Sequence, residues 1–190
     1  MPGFRDISFA NRSWQRWLPF LVCTLALYLS TPWVRRLNDQ LVKLIGPWAV
    51  LWLALGLAGL GLCWAAAWLV FSRPNGLLGR WIGLAAVAVG SCLFLLYTRA
   101  VPAETIHLVE YGFLAWPALL AVSKGPAGLR TYLLAWALVA LAGIGDEFFQ
   151  WLLPNRVGEW RDAAMNAAAG GLGLVFMGLV MRLRHIGRES

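Results

Sequence analysis

Charge is what this sequence has least of. Only 13% of its 190 residues are charged, about half the share of a soluble domain, where roughly a quarter are. A water-soluble globule is thereby excluded. Cysteine is scarce too. Cys23, Cys63 and Cys92 stand singly in apolar segments, which excludes a disulfide framework and a cysteine metal site. Two histidines leave no His-x-x-x-His pair. A glycine-rich phosphate loop is missing, so nucleotide-driven chemistry is not expected. The apolar runs do not alternate with polar residues, which argues against a β-barrel.

What is abundant is hydrocarbon. The chain is 60% hydrophobic, with a mean hydropathy of +0.66. Apolar runs of about 18 residues or more recur along it, the length a helix needs to cross a bilayer. The expected fold is all-α, a polytopic transmembrane helical bundle. Six spans are predicted, over residues 17–34, 47–71, 80–98, 104–123, 129–153 and 163–182. Residues 35–46 are expected to form a short interfacial connection. Residues 72–80 and 123–130 carry the Pro and Gly of turns. Residues 1–101 hold three spans and the interfacial segment, 102–182 hold three more, and 183–190 form a basic tail. Arg5, Arg12 and Arg16 precede the first apolar stretch like the start of a signal peptide. No small-x-small cleavage site follows Leu29, so an uncleaved first helix is expected.

The net charge is +7. In such a chain basic loops set topology, and no nucleic-acid partner is expected. With the N-terminus inside, ten of the 16 basic residues fall on the inner side. Arg35, Arg36, Lys43, Arg99, Arg156 and Arg161 fall on the outer. The bias places both termini in the cytoplasm, in a multi-pass protein of the cytoplasmic (inner) membrane. Seven of nine acids gather at the outer side: Asp39, Glu104, Glu110, Asp146, Glu147, Glu159 and Asp162. The 12 tryptophans suit interfacial anchoring.

Ionisable groups are expensive in a bilayer and mark function or close pairing. The fourth span opens with "ETIHLVEYGFLAW", which sets Glu104, His107, Glu110 and Tyr111 on one third of the helix surface. The fifth ends in "GDEFFQWLLP", where Glu147 and Gln150 share a face. After a loop containing Arg156, the sixth begins with Asp162 as its expected N-cap. Asn166 follows one turn on, as an expected interhelical hydrogen bonder, and Gly170 and Gly173 allow close helix approach. A ligand-binding cluster of Glu104, His107, Glu110, Tyr111, Glu147, Gln150, Arg156, Asp162 and Asn166 is therefore expected in the outer leaflet.

"HLVEYGFLA" followed by "DEFFQWLLPNRVGEWRDAAMNAAAGGLG" closely resembles the VanZ-like family. The likeness covers residues 102–175, with His107, Tyr111, Glu147, Gln150, Arg156, Asp162, Asn166 and Gly170 on the family's motif positions. It implies a helical envelope protein with a role of the glycopeptide-susceptibility type, the founding member being associated with teicoplanin resistance. One departure is Ala103-Glu104, where many members carry Asp-Lys before the histidine.

Each polar residue has two readings. His107 suits a proton shuttle or a metal ligand, or is a structural histidine held by Glu104 or Glu110. Glu147 suits a general base or an ion pair with Arg156 or Arg161. Arg156 suits a phosphate or headgroup, or snorkels. Carboxylates with one imidazole suit a hard cation, but nothing in the spacing supports one, so no metal and no cofactor is expected. The expected partners are membrane lipids and a lipid-linked cell-wall or polysaccharide precursor. The alternative is an intramembrane enzyme on a lipid or polyprenyl-phosphate substrate, with His107 and Glu147 as its candidate catalytic pair. A transporter is less supported, since no acid or base lies at mid-bilayer in the first three spans.

Overall fold

Lipid offers backbone amides no partner, so continuous apolar runs close their hydrogen bonds internally, as helices. The structure is a computed structural model that describes residues 13–46, 48–99, 101–125, 127–153 and 158–181. Among these residues the chain is helical and contains no strand. The helices are α1 (Ser13–Ile45), α2 (Ala49–Ser72), α3 (Leu77–Thr98), α4 (Ile106–Val122), α5 (Leu129–Leu152) and α6 (Trp160–Val180). A 3-10 turn, Pro102–Thr105, leads into α4.

Five helices are long and apolar enough to cross a membrane: α2, α3, α5, α6 and the Trp14–Val34 part of α1. They turn large apolar side chains outward, such as Phe71 at 87% exposed and Trp52 at 69%. An outer surface of this kind suits lipid and not water. The sixth helix differs. At 17 residues, α4 is about 25 Å long, and it is the centre of the bundle. It packs on α1, α2, α5 and α6, and its Leu114, Ala115 and Ala118 are fully buried. Its apolar residues therefore build the core as much as they meet lipid.

Two boundaries depart from the sequence expectation. Residues 35–45 are not a separate interfacial connection but the last three turns of α1. Between Pro32 and Gly46 there is no Pro or Gly, and the Leu, Arg, Gln and Lys there are good helix formers. The helix stops at Gly46, whose φ of 93° suits only glycine. The other departure is the start of α6, which lies two residues before Asp162.

Helix ends are tied across the bundle. Arg16 Nη1 donates to the Ser123 carbonyl at 2.7 Å, joining the start of α1 to the end of α4. Arg80 donates to the Leu179 carbonyl, joining the start of α3 to the end of α6. The acidic residues gather at the opposite ends of these helices. Glycine sets two contacts of α6: Gly173 lies on the backbone of Gly112 in α4, and Asn166 lies on Gly143 in α5.

Candidate functional site

Asp146 is the hub of the polar end. It is 5% exposed, and Glu147 and Gln150 beside it are buried nearly as deeply. One turn along α5, Gln150 Nε2 donates to Asp146 Oδ2 at 3.1 Å and to Glu147 Oε1 at 3.4 Å. From α4 the Tyr111 hydroxyl donates to the same Asp146 Oδ2 at 3.0 Å. From α1 Thr31 Oγ1 reaches Asp146 Oδ1 at 3.4 Å. Three neutral donors on three helices thus converge on one buried carboxylate. Tyr28, a turn before Thr31, donates to the Ala142 carbonyl at 2.6 Å and stacks on Phe149. That contact needs Gly145, since a Cβ there would run into the Tyr28 hydroxyl.

The neighbouring carboxylate faces elsewhere. Glu147 Oε2 accepts the Glu159 backbone N–H at 3.1 Å, so it holds the α5–α6 connection. The sequence predicts an ion pair with Arg156 or Arg161 for Glu147. Of these two, Arg156 lies outside the described residues, and Arg161 binds Glu104, with its Nε 3.3 Å from Asp162 and 3.8 Å from Glu159. Burial, then the Asp162 and Glu159 charges, push the Glu104 pKa up, while Arg161 opposes them. His107 Nδ1 lies 3.8 Å from Glu110 Oε2, the pairing expected one turn along α4.

Two expected roles are corrected. Asp162 is not the N-cap of α6. Glu159 holds that position in extended conformation, with no side-chain cap, and Asp162 sits in the first turn. The backbone N–H of Glu159 is already engaged by Glu147, which lets the helix begin earlier. Asp162 still lies at the positive helix end. Asn166 is fully buried, but among the described residues its side-chain amide has no hydrogen-bond partner. Its Cβ is pressed against Gly143, so it serves packing between α5 and α6. Arg156 lies outside the described residues.

A cavity of about 600 Å³ opens at this end of the bundle. Of the expected residues, His107, Glu110, Gln150 and Asp162 line it. Glu104, Tyr111, Glu147 and Asn166 do not, although Tyr111 holds Asp146, which does. Thr31, Asn38, Asp39 and Glu159 complete the polar wall. Leu27, Val34, Leu37 and Leu41, from the same α1, and Val50 and Leu53 from α2 supply most of its apolar lining. A second cavity, about 280 Å³ between α2, α3, α4 and α6, is almost wholly apolar.

Asp146, Tyr28 and Thr31 are the residues the sequence expectation leaves out of the site. Two signals point to them. Asp146 and Gln150 are four apart on α5, and Thr24, Tyr28, Thr31 and Asn38 form a polar stripe at helical spacing along α1. Among the described residues no group of three or more His, Cys, Asp or Glu is arranged to hold a metal ion. Chemically, the arrangement offers an amphiphile an apolar lining and acidic, hydrogen-bonding groups. Comparison with family models, curated proteins and solved structures gives no match for this chain.

Proposed function

We propose that this chain is a VanZ-like protein of the bacterial cytoplasmic membrane, whose cavity engages a lipid-linked component of the cell envelope. In this reading α4 is a sixth span and both termini are cytoplasmic. The cavity then lies in the outer leaflet, where lipid-linked precursors of wall and polysaccharide are exposed. The observation that carries the reading is the cavity's mixed lining: α1 and α2 supply most of its leucines and valines, with Ser30, Thr31, Asn38 and Asp39 of α1 set among them, while α4, α5 and α6 supply His107, Glu110, Asp146, Gln150 and Asp162. That combination suits a molecule joining a lipid chain to a polar head. Arg156, between α5 and α6 in the sequence, is the residue proposed to meet an anionic group of the ligand.

An intramembrane enzyme acting on the same class of molecule is the second reading. What favours it is His107 beside Glu110 on the cavity wall, an acid–base couple in which Glu110 takes the place expected for Glu147, which does not line the cavity.

One experiment separates the readings. Purified wild type and Arg156→Ala are incubated with a lipid-linked cell-wall precursor, and both retention and chemical recovery of the precursor are measured. Retention by the wild type, weakened in the variant, with the precursor recovered intact, is the expected result. Equal and negligible retention by both sinks the binding reading. A converted precursor, with conversion lost in His107→Ala, replaces it with the enzymatic one.

A further inference from the structure

The charge on the cavity wall carries the proposed binding role one step further, to the class of group bound. Among the described residues the cavity is lined by five carboxylates, those of Asp39, Glu110, Asp146, Glu159 and Asp162, and by no Lys or Arg, while the His107 imidazole lies 3.8 Å from Glu110 on the same wall. Arg161 offsets two of them, Glu159 and Asp162, and Asp39 is exposed. Asp146, the deepest, lies 95% out of solvent contact. Its partners are the hydroxyls of Thr31 and Tyr111 and the amide of Gln150, all neutral. Among the described residues no salt bridge reaches it. A buried charge without a counter-charge is costly, and a cation brought by a ligand removes that cost.

We infer that the cavity takes a ligand bearing an ammonium group, seated between Asp146 and Glu110 with its hydrocarbon against the α1–α2 wall. Three features support this beyond the carboxylates themselves. Asp146 accepts from Tyr111 and Gln150, shares the Thr31 hydroxyl with the Leu27 carbonyl, and has a lone-pair site left for an N–H donor. Gln150 sits beside it on the cavity wall with an amide oxygen able to accept an N–H bond. The apolar lining begins within the same cavity, so ammonium and chain are bound together. An amine on a lipid-linked saccharide or peptide, and an aminated lipid headgroup, share this chemistry.

The test uses the full-length chain in maltoside micelles and three short probes of equal length: hexylammonium, hexanol and hexyl sulfate. Calorimetric titration is expected to show saturable binding of hexylammonium at least about tenfold tighter than of either control, and about tenfold weaker binding to Asp146→Asn. Equal affinity for all three probes, or preference for the sulfate, overturns the inference. Should Asp146→Asn fail to fold, Glu110→Gln is expected to weaken hexylammonium by about threefold, and an unchanged affinity there overturns it as well. The inference rests on the binding role proposed above, yet the two fail separately. Precursor retention without ammonium preference defeats only the ligand class. Ammonium preference without precursor retention leaves the site and defeats the envelope ligand.

Discussion

Asp146 shows how much the site depends on one side chain. A carboxylate in a low-dielectric interior persists only when donors surround it, and here they come from α1, α4 and α5. Tyr111 is 1% exposed, and its hydroxyl is spent on Asp146. Tyr111→Phe is therefore expected to cost about 1–2 kcal/mol of stability, read as a lower unfolding midpoint in detergent. An unchanged midpoint would show that the hydroxyl contributes nothing to the hub. The sequence makes the charges conspicuous, because each stands out against hydrocarbon. It does not say which of Asp146 and Glu147 faces the cavity. Adjacent helical residues point about 100° apart, and the choice depends on how α5 is rotated. Its packing on α4 and α6 goes with the rotation observed, in which Tyr28 reaches the Ala142 carbonyl past Gly145.

At the scale of helices, small residues decide how the elements meet. A Cβ on Gly143 would lie 2.6 Å from the Asn166 Cβ, an atom bonded directly to the α6 backbone and unable to swing aside. Gly143→Ala must push α5 and α6 apart, with an expected loss of about 1–3 kcal/mol. Gly56→Ala on α2 meets open space and serves as the control. Equal unfolding midpoints for the two variants would contradict the packing described. The α6 glycines were open to a sequence reading, since Asn166, Gly170 and Gly173, four and then three residues apart, mark one face. The role of Asn166 was not, because a polar residue in a span suggests a hydrogen bond. Only the opposing Gly143 reveals a steric fit. The extension of α1 past residue 34 was hidden for another reason: Arg36, Asn38 and Asp39 look like a loop by polarity, while their helix propensity and the absence of a breaker keep the helix going.

At the scale of the whole molecule, orientation follows from the asymmetry of charge. Gln40 lies at the acidic end and Asn75 in the connection at the other, and both are exposed. With Cys23, Cys63 and Cys92 replaced, Gln40→Cys is expected to react with an impermeant thiol reagent on intact cells, and Asn75→Cys only after permeabilisation. The reverse pattern would turn the proposed topology over and place the cavity in the inner leaflet. Gly158, although on the same side as Gln40, is a poor position for a label, since a Cβ there collides with the Glu147 carbonyl. The sequence by itself determined that the chain is helical, that it suits a membrane, and at which helix ends its acids collect. Those properties follow from hydrophobic length and the cost of charge in lipid, which are local. The tertiary structure alone decided that α1 joins the site through Tyr28 and Thr31, that Asp146 rather than Glu147 faces the cavity, and that α4 is enclosed by its neighbours. These depend on the rotation and neighbours of each helix, and packing sets them only when all the helices are in place.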